Sequence, residues 1–85
     1  MSSQSLFSRR LGKFTIPRDI IEDTPALAQE ILSTVIVVRA EMLWDRDALE
    51  YIGISHSFES LPCGARAPWY DYIMEQGRFG GWVKV

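Results

Sequence analysis

The sequence predicts an α+β domain in which one short helix packs on a three- to four-stranded antiparallel sheet. Three observations point to this class: helix-start signals near residue 25, alternating apolar positions over residues 34–44, and two C-terminal aromatic runs separated by a glycine turn. The chain has 85 residues, 47% of them hydrophobic and 24% charged. This is the composition of a folded domain near the lower size limit for folding without disulfides or metal.

The helix is predicted in the segment DTPALAQEILSTV and should end near Ser33 or Thr34. Thr24 is a candidate N-cap, and Pro25 suits the first helical position. One apolar stripe then faces the core, formed by Leu27, Ile31 and Leu32. The preceding segment PRDIIED is expected to make a short helical turn, and KFTIP alternates too poorly to be assigned to a strand.

The segment TVIVVRAEMLW predicts a strand with one buried face, formed by Ile36, Val38, Ala40, Met42 and Trp44. A second strand, LEYIGIS, follows. A four-residue loop from Asp45 to Ala48 is favoured because it pairs Trp44 with Leu49 and keeps Glu50 away from the core. We expect the following side chains to be mainly buried: Ile31, Val38, Met42, Trp44 and Tyr51.

Two further strands are predicted in WYDYIMEQ and RFGGWVKV, joined around residues 76–78. Gly80 and Gly81 either weaken the last strand or mark a bulge there. The long connection before them, SHSFESLPCGARAPWY, contains residues that suit turns, and Phe58 and Leu61 can fold back onto the core.

The net charge of −2 is distributed unevenly along the chain. Residues 1–18 contain four basic residues and no acid, whereas residues 19–85 are acidic overall. We therefore expect a flexible basic arm over residues 1–13, mobile over residues 1–8, and a single α+β domain over residues 14–85. The basic residues are candidate nucleic-acid contacts, namely Arg9, Arg10, Lys13 and Arg18; the alternative is a solubilising arm.

Residues 55–70 contain the only His and the only Cys of the chain. Cys63, His56 and Glu59 could supply a nucleophile, a base and an orienting group, and Ser55 or Ser57 could replace the thiol. A core of four strands and a helix leaves little room for a substrate pocket, so we expect no catalytic residue and no cofactor. One His and one Cys also make a zinc site improbable, and the acids at residues 45–50 lack the spacing of a calcium loop.

A resemblance covers residues 40–75, AEMLWDRDALEYIGISHSFESLPCGARAPWYDYIME. An Ala-Glu strand, the strand LEYIGIS, a loop with an aromatic residue and glycine, and Pro-Trp-Tyr before a last strand resemble small accessory proteins encoded by bacteriophages and prophages. The resemblance implies a protein that binds and blocks host machinery, including defence complexes such as CRISPR effectors.

These features favour a non-catalytic interaction protein of the bacterial cytoplasm whose acidic body binds a host protein or complex. The expected partner contacts are Asp45, Asp47 and Glu50, with Trp44 and Trp69 as aromatic anchors. The alternative is a nucleic-acid-associated regulatory protein that uses the basic arm. A sheet displaying the rings of Trp69, Tyr70, Tyr72, Phe79 and Trp82 could stack bases if basic residues flanked them, but we expect most of these rings to pack in the core. A hydrolase built on Cys63 and His56 is the third hypothesis.

Overall fold

The structure, a computed structural model, describes residues 10–62 and 64–85. Along this part of the chain the elements are β1 (Leu11–Pro17), α1 (Arg18–Asp23), α2 (Pro25–Leu32), β2 (Ile36–Leu43), β3 (Ala48–Ile54), β4 (Tyr70–Glu75) and β5 (Arg78–Lys84). β1, β3 and β2 form one antiparallel sheet in that order, and β4 pairs with β5 in a second. The predicted α+β class is confirmed, with two short helices and five strands in the described residues.

β1 is the strand that the sequence reasoning missed. Its buried residues alternate along the strand, at Gly12, Phe14 and Ile16. It pairs with β3 from Leu11 opposite Ile54 to Pro17 opposite Ala48. Residues 11–13 therefore belong to the sheet and not to the arm predicted over residues 1–13, whereas residues 1–9, with their predicted mobility, lie outside the described residues.

The β2–β3 loop has four residues, as predicted, but it begins at Trp44 instead of Asp45. Leu43 pairs with Ala48 and Met42 with Leu49. From Arg39 to Leu43 each pairing partner has moved by two positions, so these side chains keep their predicted face of the sheet. A bulge between Val37 and Arg39 then shifts the register and sets Ile36 opposite Ile54, so the predicted buried face of Ile36 was wrong. Trp44 itself leaves the strand for the turn and is 77% exposed. Its predicted burial was wrong.

The core lies between the β1 and β3 strands, the helices and the β4–β5 hairpin. Its buried members are Phe14, Ile16, Leu27, Ile31, Tyr51, Phe58 and Tyr70. Ile31 and Tyr51 are thus buried as predicted, but Val38 is 53% exposed and Met42 only half-buried. The reason is that β2 is an edge strand, and in the described residues the core cluster takes no side chain from it.

α2 begins at Pro25 after Thr24, as predicted, and ends at Leu32. Thr24 occupies the N-cap position without a side-chain capping hydrogen bond, so packing holds the helix more than its cap does. Glu30 binds α2 to β5, because its carboxylate accepts hydrogen bonds from the Arg78 guanidinium at 2.6 Å and from the Phe79 N–H at 3.2 Å.

The β4–β5 hairpin turns at Gln76 and Gly77, both with positive φ, of 53° and 76°. A two-residue turn of this kind matches the twist of the flanking strands, and glycine adopts it without strain. The predicted bulge is confirmed, since the register shifts between Ile73 opposite Gly81 and Met74 opposite Phe79.

The connection between β3 and β4 is built into the core. Phe58 is 1% exposed and stacks on Tyr70 with ring centroids 4.3 Å apart. The Tyr70 hydroxyl accepts a hydrogen bond from the Glu59 N–H at 2.8 Å. Ser55, also buried, donates its hydroxyl to the Thr34 carbonyl at 2.8 Å. These contacts give the connection a structural role, as its sequence predicted for Phe58.

Candidate functional site

Residues 44–47, called the hairpin tip below, form an exposed turn between β2 and β3. Within it, the Arg46 N–H donates a hydrogen bond to the Leu43 carbonyl at 3.2 Å. Asp47 has a φ of 53°, a left-handed conformation that aspartate tolerates better than most residues. The turn leaves Trp44 with most of its indole in solvent. An exposed side chain of this size is a candidate anchor for a binding partner.

Arg18, the first residue of α1, holds the hairpin tip in place. Its N–H donates to the Asp47 carbonyl at 3.0 Å, and its guanidinium lies 3.3 Å from the Asp47 carboxylate. The same guanidinium donates to the Glu22 carboxylate at 2.8 Å. The hydrogen bond and charge of Glu22, and then those of Asp47, raise the pKa of Arg18. Exposed ion pairs are individually weak, but together with the backbone bond they orient the turn.

The contact between Arg18 and Asp47 places α1 beside the hairpin tip, and both carry mainly acidic side chains. The exposed carboxylates of this acidic end are Asp19, Glu22, Asp23, Asp45 and Asp47. Only two guanidinium groups, those of Arg18 and Arg46, oppose them within the same residues. The sequence reasoning missed the acids of α1, because only the Arg18–Asp47 contact shows that the two segments are neighbours.

Glu50 and Trp69, the other predicted partner contacts, are not part of the hairpin tip. Glu50 is half-buried on the face of the sheet opposite the core, between Thr15 of β1 and Glu41 of β2. Trp69 is 39% exposed beside Lys13, whose ammonium lies 5.6 Å from the ring centroid. Lys13 stands four residues from the end of β1, about 13 Å along the strand. Of the five predicted contacts, Trp44, Asp45 and Asp47 thus lie on the hairpin tip itself, and Glu50 lies three residues further along β3.

The predicted nucleic-acid contacts do not form one basic patch. Arg10 is half-buried, and its guanidinium donates to the Phe58 carbonyl at 2.8 Å. Arg18 binds acids at the other end of β1. Lys13 lies between them, beside Trp69. Arg9 lies outside the described residues.

The rings proposed for base stacking mostly face inward. Tyr70 is buried, and Tyr72, Phe79 and Trp82 pack against the core cluster. Trp82 lies at the centre of this packing, with its ring centroid 4.7 Å from that of Phe14 and its indole N–H donating to the Thr34 hydroxyl at 2.9 Å. Trp69 alone of the five is largely accessible. Most of these rings thus pack against the core, as expected from the sequence.

The residues considered for catalysis take part in structural contacts where the structure describes them. The Ser55 hydroxyl accepts a hydrogen bond from the Ser57 N–H at 3.1 Å besides donating its own proton to Thr34. The Glu59 carboxylate binds the Lys84 ammonium at 2.9 Å. Cys63 lies outside the described residues, and so does any geometry between its thiol and His56.

Over residues 10–62 and 64–85, no three side chains of the metal-binding types come close enough to hold an ion. None of the helices in this part of the chain has the length and apolar character needed to cross a membrane. Comparison with known proteins gives no match to a protein family, to a curated protein or to a solved structure.

Proposed function

We propose that this protein is a non-catalytic protein-binding domain that presents its hairpin tip to a basic surface of a partner protein. The observation that carries the proposal is Trp44, a full indole held in water on an anchored turn. Leaving so large an apolar side chain exposed forgoes the free energy that its burial would provide. Tryptophan is also among the residues most enriched at the energetic centres of protein interfaces.

The charges around Trp44 support a basic partner surface. The carboxylates of α1 and the hairpin tip give this end of the molecule a negative field, which steers encounters with positive surfaces and discriminates against acidic ones. An acidic domain of this kind competes with nucleic acid for a basic groove. Together with the resemblance of residues 40–75 to phage accessory proteins, this supports a host protein or defence complex, such as a CRISPR effector, as the partner.

The alternative nucleic-acid function has less support. The guanidinium groups of Arg10 and Arg18 already bind a carbonyl and two carboxylates, and α1 adds acids that repel phosphates.

A site-specific cross-linking experiment tests the proposal. Trp44 is replaced with the photoreactive residue p-benzoylphenylalanine in the tagged protein, which is then irradiated in bacterial lysate. The matched control carries the same group at Val83, which is 48% exposed on β5 and lies outside α1 and the hairpin tip. We expect a discrete protein adduct, identified by mass spectrometry, from position 44 alone. Equal adducts from both positions, or adducts to nucleic acid only, would contradict the proposal.

Affinity for the recovered protein then separates the anchor from the rest of the surface. Trp44→Ala should weaken binding by about thirtyfold or more, as loss of an interface hot spot does. Trp69→Ala, the matched change at the other exposed indole, should leave the affinity within about twofold of wild type, as for residues outside an interface. His56→Ala and Cys63→Ser should also leave binding unchanged. If either of these two variants folds but loses the biological activity of the protein, the hydrolase hypothesis would be favoured instead.

A further inference from the structure

The free edge of β2 is a second interaction surface. β2 spans eight residues, carries a bulge between Val37 and Arg39 and, over the part of the chain that the structure describes, pairs with β3 on one side only. On its other side, within the described residues, no backbone hydrogen bond beyond the β2–β3 ladder involves residues 36–42. The opposite edge of the sheet differs, because there the Lys13 N–H of β1 donates to the Pro68 carbonyl at 2.8 Å. A long open edge with exposed apolar side chains, here Ile36 and Val38, is a template for pairing with another strand.

The charges on β2 are arranged for pairing with a second copy of the same strand. Arg39 and Glu41 share one face, both are exposed, and their charged groups lie 3.7 Å apart. Residues directly opposite each other in an antiparallel pair point to the same face of the sheet. When the two strands are identical and related by a two-fold axis perpendicular to the sheet, the axis must therefore pass through a residue and not between two residues. Centred on Ala40, it sets each Arg39 opposite Glu41 of the other copy. Centred on Arg39 or Glu41, it would instead set like charges directly opposite each other.

We propose that β2 pairs antiparallel with β2 of a second copy, with the two-fold axis at Ala40. The pairing joins the two three-stranded sheets into one of six strands and forms two cross-strand ion pairs. Ala40 suits the central position, because its methyl group fits where two identical side chains must face each other.

The dimer goes beyond the proposed function and leaves the hairpin tip free. The ladder is centred on Ala40 and pairs Arg39 with Glu41, so it ends before residue 44 and Trp44 of each copy stays accessible. The antiparallel arrangement places the two tips at opposite ends of the six-stranded sheet. Each dimer therefore carries two anchors, which raises the avidity for a partner with repeated or paired sites.

Charge reversal tests the register. Arg39→Glu and Glu41→Arg are made separately, and self-association of the full chain is measured by sedimentation velocity up to millimolar concentration. Each variant alone should dimerise about tenfold or more weakly than wild type, because two attractive cross-strand pairs become repulsive. An equimolar mixture of the two variants should recover dimers, since the carboxylates of one then face the guanidinium groups of the other. The mixture does not restore the ion pair within either chain, so the recovery reports the pairing between copies.

The double variant Arg39→Glu with Glu41→Arg restores every pair with reversed polarity and should dimerise like wild type. Circular dichroism confirms folding of each variant, and if a single variant fails to fold, the double variant still carries the test. A wild-type chain that stays monomeric throughout would overturn the proposal. So would single variants that dimerise as well as wild type, or a mixture that shows no recovery. Each of these outcomes is independent of cross-linking at position 44.

Discussion

Adding a single methyl group at Gly12 should destabilise the fold, although the same change is usually mildly favourable in a strand. Gly12 lies in β1 on the face that packs against the β3–β4 connection. A Cβ atom built there would lie 2.7 Å from a ring carbon of Tyr70 and 2.8 Å from two ring carbons of Phe58. Ordinary contacts of such an atom are 3.4–4 Å. The aromatic rings would therefore have to move by more than half an ångström.

Two opposing effects set the size of the change. Alanine restricts the unfolded chain more than glycine does, which favours folding by about 0.4–1 kcal/mol where the site has room. Overpacking a filled core costs about 1–3 kcal/mol. Here the rings have little freedom, because Phe58 and Tyr70 stack on each other and the Tyr70 hydroxyl accepts a backbone hydrogen bond. The overlap should win, and Gly12→Ala should lower the free energy of unfolding by about 1–3 kcal/mol.

Urea unfolding followed by tryptophan fluorescence measures this difference, and a melting temperature lower by about 4–20 °C should accompany it. The control is Gly12→Ala in a Phe58→Leu background, where the smaller side chain removes one of the two overlapping rings. The alanine should then be less destabilising than in the wild-type chain, which gives a positive coupling between the two sites. A variant as stable as wild type would refute the packing of Gly12 against these rings.

Three further outcomes are expected from unfolding measurements. Ile31→Ala should cost about 2–5 kcal/mol because Ile31 is fully buried. Met42→Ala should cost only about 1 kcal/mol, because Met42 is partly buried and lies outside the core cluster. Equal costs would place β2 in the core. The double change Asp45→Lys and Asp47→Asn should alter the free energy of unfolding by less than about 1 kcal/mol. The exposed charges of the tip contribute little to stability, and asparagine adopts the left-handed conformation of residue 47. A larger loss of stability would mean that the hairpin tip supports the fold. Hydrogen bonds from β5 lower the pKa of Glu30, so the wild-type chain should lose stability as the pH falls below about 4.3. Glu30→Gln should weaken this acid dependence, and an unchanged pH profile would show that the carboxylate is not bound in solution.

The helix and the strand faces were predictable from the sequence because each depends on local pattern. Pro25 marks the start of α2, and the period of two gave the right face for residues 39–43 of β2. It failed at Ile36, because a bulge between Val37 and Arg39 shifts the register and a bulge leaves no trace in the alternation. β1 was missed because its short run contains Gly12, whose missing side chain weakens the alternation although the position is buried. Only contact with rings far along the chain shows why glycine stands there.

The candidate site was predictable only in part, because proximity in space depends on register. The sequence predicted Trp44 both as a buried residue of a strand and as an aromatic anchor for a partner. A side chain cannot fill both roles, because a buried ring is not accessible to a partner. A shift of the loop by one residue decides between them in favour of exposure. The role of Arg18 could not be anticipated either, since it joins residues 29 positions apart in the chain.

The exposure of Trp44 follows from how this small domain fills its core. The helices, the β3–β4 connection and the β4–β5 hairpin all bring apolar side chains to one face of β1 and β3. Few side chains are left to cover β2, which lies at the edge of the sheet. The molecule is accordingly elongated, with extents of 42 Å along its longest axis and 21 Å along its shortest. The hairpin tip is anchored through Arg18 at the surface, outside the core cluster. The hairpin tip and the core thus consist of different residues, so substitutions at the tip should leave the packing of the core intact.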